Sequence, residues 1–202
     1  MHNRDKSLAR FGAELASSSP APGGGGAAAL AGALAAALGG MVVSLTVGKP
    51  KYAANEEALR AIGEKAEKLR KELLDMIDAD AEAFAPLARA YSLPKDDPDR
   101  EATLEEALVR AAASPARIAE LCCEVIELLE GCASMGSLLV LSDAASGAAL
   151  AEGALRAAVI NVKVNTALMH NHSHAAALNA RMADLEKEYL ARAEAVRRSL
   201  GY

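Results

Sequence analysis

Three acids stand at alternate positions in Asp78-Ala79-Asp80-Ala81-Glu82, with Phe84 close behind. Successive helical residues turn by ~100°. With Ile77 at the centre of the apolar face, Ala81, Phe84 and Ala88 fall beside it, and Leu69, Leu73, Met76 and Tyr91 lie along one flank. Asp80 falls inside this apolar arc, Asp78 lies near its other edge, and Glu82 points away. A carboxyl on a buried face is destabilising unless paired or neutralised. Its pKa rises, which is what a general acid or base near neutral pH requires. Asp80 sits mid-helix, where no cap is needed, and is the candidate catalytic group. A buried pair with Arg or Lys is the structural alternative. Asp78 and Glu82 read as solvated.

A second constellation, Pro22-Gly23-Gly24-Gly25-Gly26, opens a helix. Glycines let a ligand approach the backbone, and a helix start offers free N–H groups and a positive dipole end. The same run also serves as a tight turn that permits close helix packing. It lacks both a GK[ST] ending and a GxGxxG spacing. Farther on, Asn161 and Asn165 face inward with Leu150, Ala154 and Leu168, opposite Glu152, Arg156 and Lys163. A buried Asn must be hydrogen-bonded, either to another helix or to a ligand. Asp143 either caps its helix beside Ser142 or joins a site. Gly48-Lys49-Pro50-Lys51-Tyr52 is a small basic turn that could hold a carboxylate tail, although such turns are usually solvated. His170, His172 and His174 occupy a turn without a carboxylate or Cys beside them, so no metal is expected there.

Together these segments resemble the cyclodeaminase/cyclohydrolase family: the C-terminal domain of formiminotransferase-cyclodeaminase and the free-standing methenyltetrahydrofolate cyclohydrolases. The resemblance is carried by Pro20-Ala21-Pro22-Gly23-Gly24-Gly25 with the Ala28–Leu34 stretch, then Gly48-Lys49 through Tyr52. It continues through Asp78–Phe84, Leu93-Pro94-Lys95, Ser142-Asp143 and Asn161-Val162-Lys163-Val164-Asn165, in order over nearly the whole chain. It implies an all-α homodimer that binds a tetrahydrofolate derivative, with Asp80 matching the family's proposed catalytic acid. Gly23, Gly24, Gly25, Gly26, Lys49, Tyr52, Asp143, Asn161 and Asn165 are the implied binding positions. Gly26 stands where the family often has Ser, and Pro50 where Lys is common, which weakens a polyglutamate clamp.

The implied activity is a methenyltetrahydrofolate cyclohydrolase, with no metal and no cofactor beyond the folate. Formiminotetrahydrofolate cyclodeaminase is the alternative. A non-catalytic folate-binding helical dimer is a third reading.

Positioning these groups falls to helices. The chain has 202 residues, 52% hydrophobic and 3% aromatic, and a net charge of −5. Its abundant Ala favours helix over sheet. Few aromatics and an acidic balance argue against a nucleic-acid partner. The expected architecture is a single domain, 1–202: a bundle of long helices around an Ala/Gly-rich helix buried on all sides, dimeric because that helix has more apolar faces than one small domain covers. The uncharged stretch Gly23–Gly48 is long enough for a membrane span, but with no second span a soluble bundle core is expected. Cys122, Cys123 and Cys132 show no framework spacing, as in a reducing cytoplasm.

Helices are predicted over Ser7–Ala16, Ala27–Val47 and Ala53–Tyr91. Another starts at Pro98 behind Asp97, and Ser114-Pro115 signals a fresh start reaching about Leu129 or Cys132. Gly131–Gly136 is a break, Ser142 caps a helix to about His170, and a final helix runs to Leu200.

Overall fold

The protein is described by a computed structural model over residues 2–201. Six α-helices follow in order: α1 Leu8–Leu15, α2 Gly24–Ser44, α3 Glu56–Tyr91, α4 Arg100–Met135, α5 Leu141–Thr166 and α6 His172–Ser199. Among the described residues there is no strand, as the Ala-rich composition demands. Helix α2 lies between α3 and α5 and crosses α4, while α6 covers α4 and α5. Gly24 faces Asn161 whereas Gly147 faces Ala35, so α5 runs antiparallel to α2. Gly25 faces Asp80 and Gly63 faces Val43, so α3 does the same. The start of α2 therefore meets the second halves of both α3 and α5 at one end of the bundle.

Small residues make these approaches possible. Added Cβ atoms would lie 3.1 Å from Cys122 Sγ at Gly32 and 2.9 Å from the Leu129 side chain at Gly147. One at Gly39 would collide with Leu128. Ala29, Ala35 and Ala36 are fully buried between Leu73, Leu129 and Leu155 of the main core.

Helix α2 departs from the expectation of burial on every side: Leu34, Met41 and Leu45 are exposed. The adjoining face of α5 exposes Leu150, Ile160 and Val164. Two stretches, Gly24–Ser44 and Leu138–Thr166, are long and apolar enough to cross a membrane, where the sequence suggested one. Each turns one side into the bundle core.

Three local expectations are corrected. Ser114-Pro115 starts no helix, and Gly131 ends none: α4 is continuous through both. Pro115 lacks an N–H, so the Ala111 carbonyl one turn back loses its helical donor. Asn165 replaces it from α5, donating from Nδ2 to Ala111 O at 3.2 Å. Second, α5 begins at Leu141 after a 3-10 turn over Leu138–Val140, and neither Ser142 nor Asp143 caps it. Third, Asp78 is not solvated. Its side chain is 15% exposed and faces His2 and Arg4, while the Asn3 N–H donates to its Oδ1 at 2.6 Å. It fastens the N-terminal segment to α3.

The far end of the bundle is joined by Thr46. Its hydroxyl donates to Val42 O at 2.6 Å and accepts the Ser137 N–H at 2.9 Å. Thr46→Val keeps the shape but orphans that buried N–H. It is expected to lower stability by about 1–3 kcal/mol, measurable by urea unfolding.

Candidate active site

A cleft of about 240 Å³ opens where the three helix segments meet the start of α2. Pro20, Ala21 and Gly23–Gly25 form one wall, and Asp80, Ala81 and Phe84 of α3 another. Ala111 and Pro115 of α4, with Asn161, Val164 and Asn165 of α5, complete it. Asp80 is the only acid in this lining.

Burial pushes the Asp80 carboxyl above the usual Asp range. The Ser114 hydroxyl and the Gly26 N–H face it and favour the charged form more weakly. That N–H belongs to the first turn of α2, whose Gly23 start has no side-chain cap. Asp80 thus stands where a capping carboxylate would, reaching in from another helix. Burial thus moves this carboxyl upward, the direction a general acid or base requires, while the two donors oppose it.

The glycines differ in what they do. A Cβ at Gly25 would fall on the Asp80 carboxyl, and one at Gly24 would lie 2.9 Å from Asn161 Nδ2. At Gly23 a Cβ meets nothing, and at Gly26 it makes only ordinary contacts. Gly24 and Gly25 therefore admit two site side chains as well as lining the cleft.

Asn161 Nδ2 donates to Ala157 O at 2.8 Å, and Asn165 Nδ2 to Asn161 O at 3.0 Å as well as to Ala111. Those carbonyls are acceptors, so the amide nitrogens must face them. Each Asn keeps its Oδ1 as an acceptor toward the N–H groups of a ligand.

Lys49, Tyr52 and Asp143 are not brought here. Lys49 and Tyr52 lie beyond the other end of α2 and Asp143 beside its last turns, which at ~1.5 Å per residue puts them roughly 25–30 Å away. There the Leu138 N–H donates to the Tyr52 hydroxyl at 3.2 Å, lowering its pKa, with Ser137 and Lys51 acting the same way. Lys49 is exposed. Asp143 is half-buried in the first turn of α5.

A larger groove of about 1090 Å³ runs between α2 and α3, but its floor is Ala, Gly and Val, and its Arg60, Arg70 and Lys71 are paired with glutamates. His170, His172 and His174 are exposed around the start of α6. Among the described residues, no group of three or more His, Cys, Asp or Glu is gathered that could hold a metal ion. Burial pushes the Cys123 and Cys132 thiols up to about 12, so neither is a nucleophile at neutral pH.

Ser114, Pro115, Phe84 and Val164 were missed as site residues. The signal for the first two was present: buried Leu108, Ala111, Ala112, Ala119 and Cys122 keep helical spacing straight across Pro115.

Residues 7–184 match the formiminotransferase-cyclodeaminase family. A methenyltetrahydrofolate cyclohydrolase of Methylorubrum extorquens is 44% identical over 155 residues, 75% of this chain and 74% of that protein. The formimidoyltransferase-cyclodeaminase of Rattus norvegicus is 34% identical over 165 residues, 80% of this chain but 30% of that longer protein. The crystal structure of formiminotetrahydrofolate cyclodeaminase from Thermotoga maritima superposes with a TM-score of 0.84 at 27% identity, covering 97% of this chain and 94% of that one. Fold, residue order and these matches agree, and the chain belongs to the formiminotransferase-cyclodeaminase family of folate cyclodeaminases and cyclohydrolases.

Proposed function

We propose that this protein is a methenyltetrahydrofolate cyclohydrolase that converts 5,10-methenyl- to 10-formyl-tetrahydrofolate, using no cofactor beyond the folate. The observation that carries the reading is the half-buried carboxyl of Asp80, the one acid lining a cleft that also offers amide acceptors. The 44% identity to a cyclohydrolase favours this reaction over cyclodeamination. The pterin N–H groups meet Asn161 and Asn165 Oδ1, and the backbone of Gly23–Gly26 lies against the ring system.

Asp80 as carboxylate takes a proton from water while the water oxygen bonds to the cationic methenyl carbon. The product is a neutral carbinolamine. The resulting acid then returns that proton to the pterin nitrogen as its bond to the carbon breaks. The carbinol oxygen becomes the formyl carbonyl and its proton leaves to solvent. One group serves as base and then acid.

Cyclodeaminase is the second reading, supported by the Thermotoga maritima likeness. There the same acid protonates departing ammonia. Pure protein assayed spectroscopically with 5,10-methenyl- and 5-formimino-tetrahydrofolate side by side separates the two. Binding without turnover of either would leave a folate-binding protein only.

The open face of α2 and α5 supports a homodimer. No charged residue lies between Gly23 and Gly48, and Leu34 and Met41 of α2 and Ile160 and Val164 of α5 are all exposed. A second copy packed antiparallel on α2 carries the partner's basic turn toward this cleft. Lys49, Tyr52 and Asp143 then serve the site of the other protomer, with Lys49 toward the folate carboxylate tail. The compartment that fits is the cytoplasm.

Three results are expected. Asp80→Asn keeps the fold and most folate affinity but lowers turnover by about 100-fold. Because burial raises this carboxyl in the folded state, ionising it opposes folding at neutral pH; Asp80→Asn therefore melts no lower than the native protein. The native pH–rate profile shows a group titrating above ~3.9, the ordinary Asp value. Asp78→Asn instead loosens the N-terminal segment and affects melting more than turnover. Near-normal turnover in Asp80→Asn would end this mechanism.

Gly25→Ala displaces the Asp80 carboxyl and is expected to lower turnover by about tenfold or more, the scale of a displaced acid–base group. Its KM for 5,10-methenyl-tetrahydrofolate measures how far the cleft is also filled. Normal turnover would show that Asp80 can act from another position.

Met41→Glu places a charge on the open face and is expected to give monomers by sedimentation, with turnover falling alongside. Mixing inactive Lys49→Ala and Asp80→Asn proteins under exchange should restore activity, because one site in each mixed dimer is intact. No recovery, with exchange verified, would place both groups in one protomer's service.

A further inference from the structure

Ser114 lies in the middle of α4, 8% exposed, one residue before Pro115 of the cleft wall. Its hydroxyl is buried and closes no full hydrogen bond. Hydroxyls inside helices ordinarily bond back to a carbonyl one turn earlier. In the last turns of α5 and α6 Thr166 does so to Lys163 and Ser199 to Val196; Ser114 does not. Its Oγ faces the Asp80 carboxyl instead. A buried hydroxyl without a partner lowers stability, and Ala would fill nearly the same space with better helix propensity. An exception of this kind calls for a use.

We propose that Ser114 is a positioning residue for proton transfer, its hydroxyl steadying the Asp80 carboxyl through both halves of the cycle. A hydroxyl has one donor and two acceptor lone pairs and rotates freely. It donates to the carboxylate while Asp80 waits as base. It turns to accept once Asp80 carries the proton. An amide or ammonium in its place could not match both states. Nothing else touching the carboxyl can do so, because the Gly26 N–H only donates.

The inference rests on the reading of Asp80 as acid and base, and its test separates the two. Ser114→Ala and Asp80→Asn are prepared in the full chain and compared by kcat, KM, pH–rate profile and melting temperature, with 5,10-methenyl-tetrahydrofolate as substrate. Ser114→Ala is expected to melt at or above the native temperature. Its kcat falls about tenfold, the scale of one lost hydrogen bond to a charged group, while KM stays within about twofold on the same scale. The acid limb of its profile moves to higher pH, because a donor to the carboxylate is gone. Unchanged kcat and an unmoved acid limb would overturn the proposal. So would a kcat loss accompanied by a fall in melting temperature with the limb in place, which marks a packing role. If Asp80→Asn itself turns over normally, the acid–base reading fails and the role of Ser114 falls with it. If Asp80→Asn is inactive and Ser114→Ala is native-like, only the proposal for Ser114 fails.

Discussion

The bundle depends on how closely side chains of α3, α4 and α5 can approach the backbone of α2. Interiors are close-packed, so one added Cβ at a crossing is felt. At Gly25 the neighbour is Asp80, at Gly24 it is Asn161, at Gly32 it is Leu73 and Cys122, and at Gly39 it is Leu128. The same lack of side chains that lets α2 serve as a spine also lets a carboxyl and an amide reach its first turn. Scaffold and site are thus one constraint applied at successive turns of a helix.

Asp80 shows what the arrangement trades. The free N–H groups of the uncapped α2 start attract a carboxylate, while the surrounding apolar wall resists its charge. A group optimised for capping would sit exposed and fully ionised. Asp80 instead carries opposing influences, burial raising its pKa and the donors lowering it, at some expense in stability.

Much of this was legible in the chain. Ala content gave the helices, and the 3.6-residue period turned Asp80 inward past Glu82, which is indeed exposed. Asn161 and Asn165 were likewise turned inward by their opposition to Glu152, Arg156 and Lys163. The failures share a cause: each was decided by a partner distant in sequence. Pro115 reads locally as a helix boundary, yet α4 continues through it, and the Asn165 amide, 50 positions on, answers the carbonyl it leaves. Asp78 sits near the edge of an apolar arc and looks solvated until Asn3 folds over it. Lys49, Tyr52 and Asp143 belong to segments in the right order, but order along a chain carries no information about which end of a long helix they occupy.

The bond between Asn165 and the Ala111 carbonyl ties two substitutions together. Any other residue at 115 would restore a backbone N–H to that carbonyl and release one amide hydrogen of Asn165. The side chain would then be held only by its bond to Asn161 O, and its amide would be less firmly oriented over the cleft. Conversely, a residue at 165 without a donor would leave the Ala111 carbonyl of α4 unanswered. Positions 115 and 165 are therefore coupled: a change at 115 loosens the Asn165 amide on α5, and a change at 165 removes the donor that answers α4.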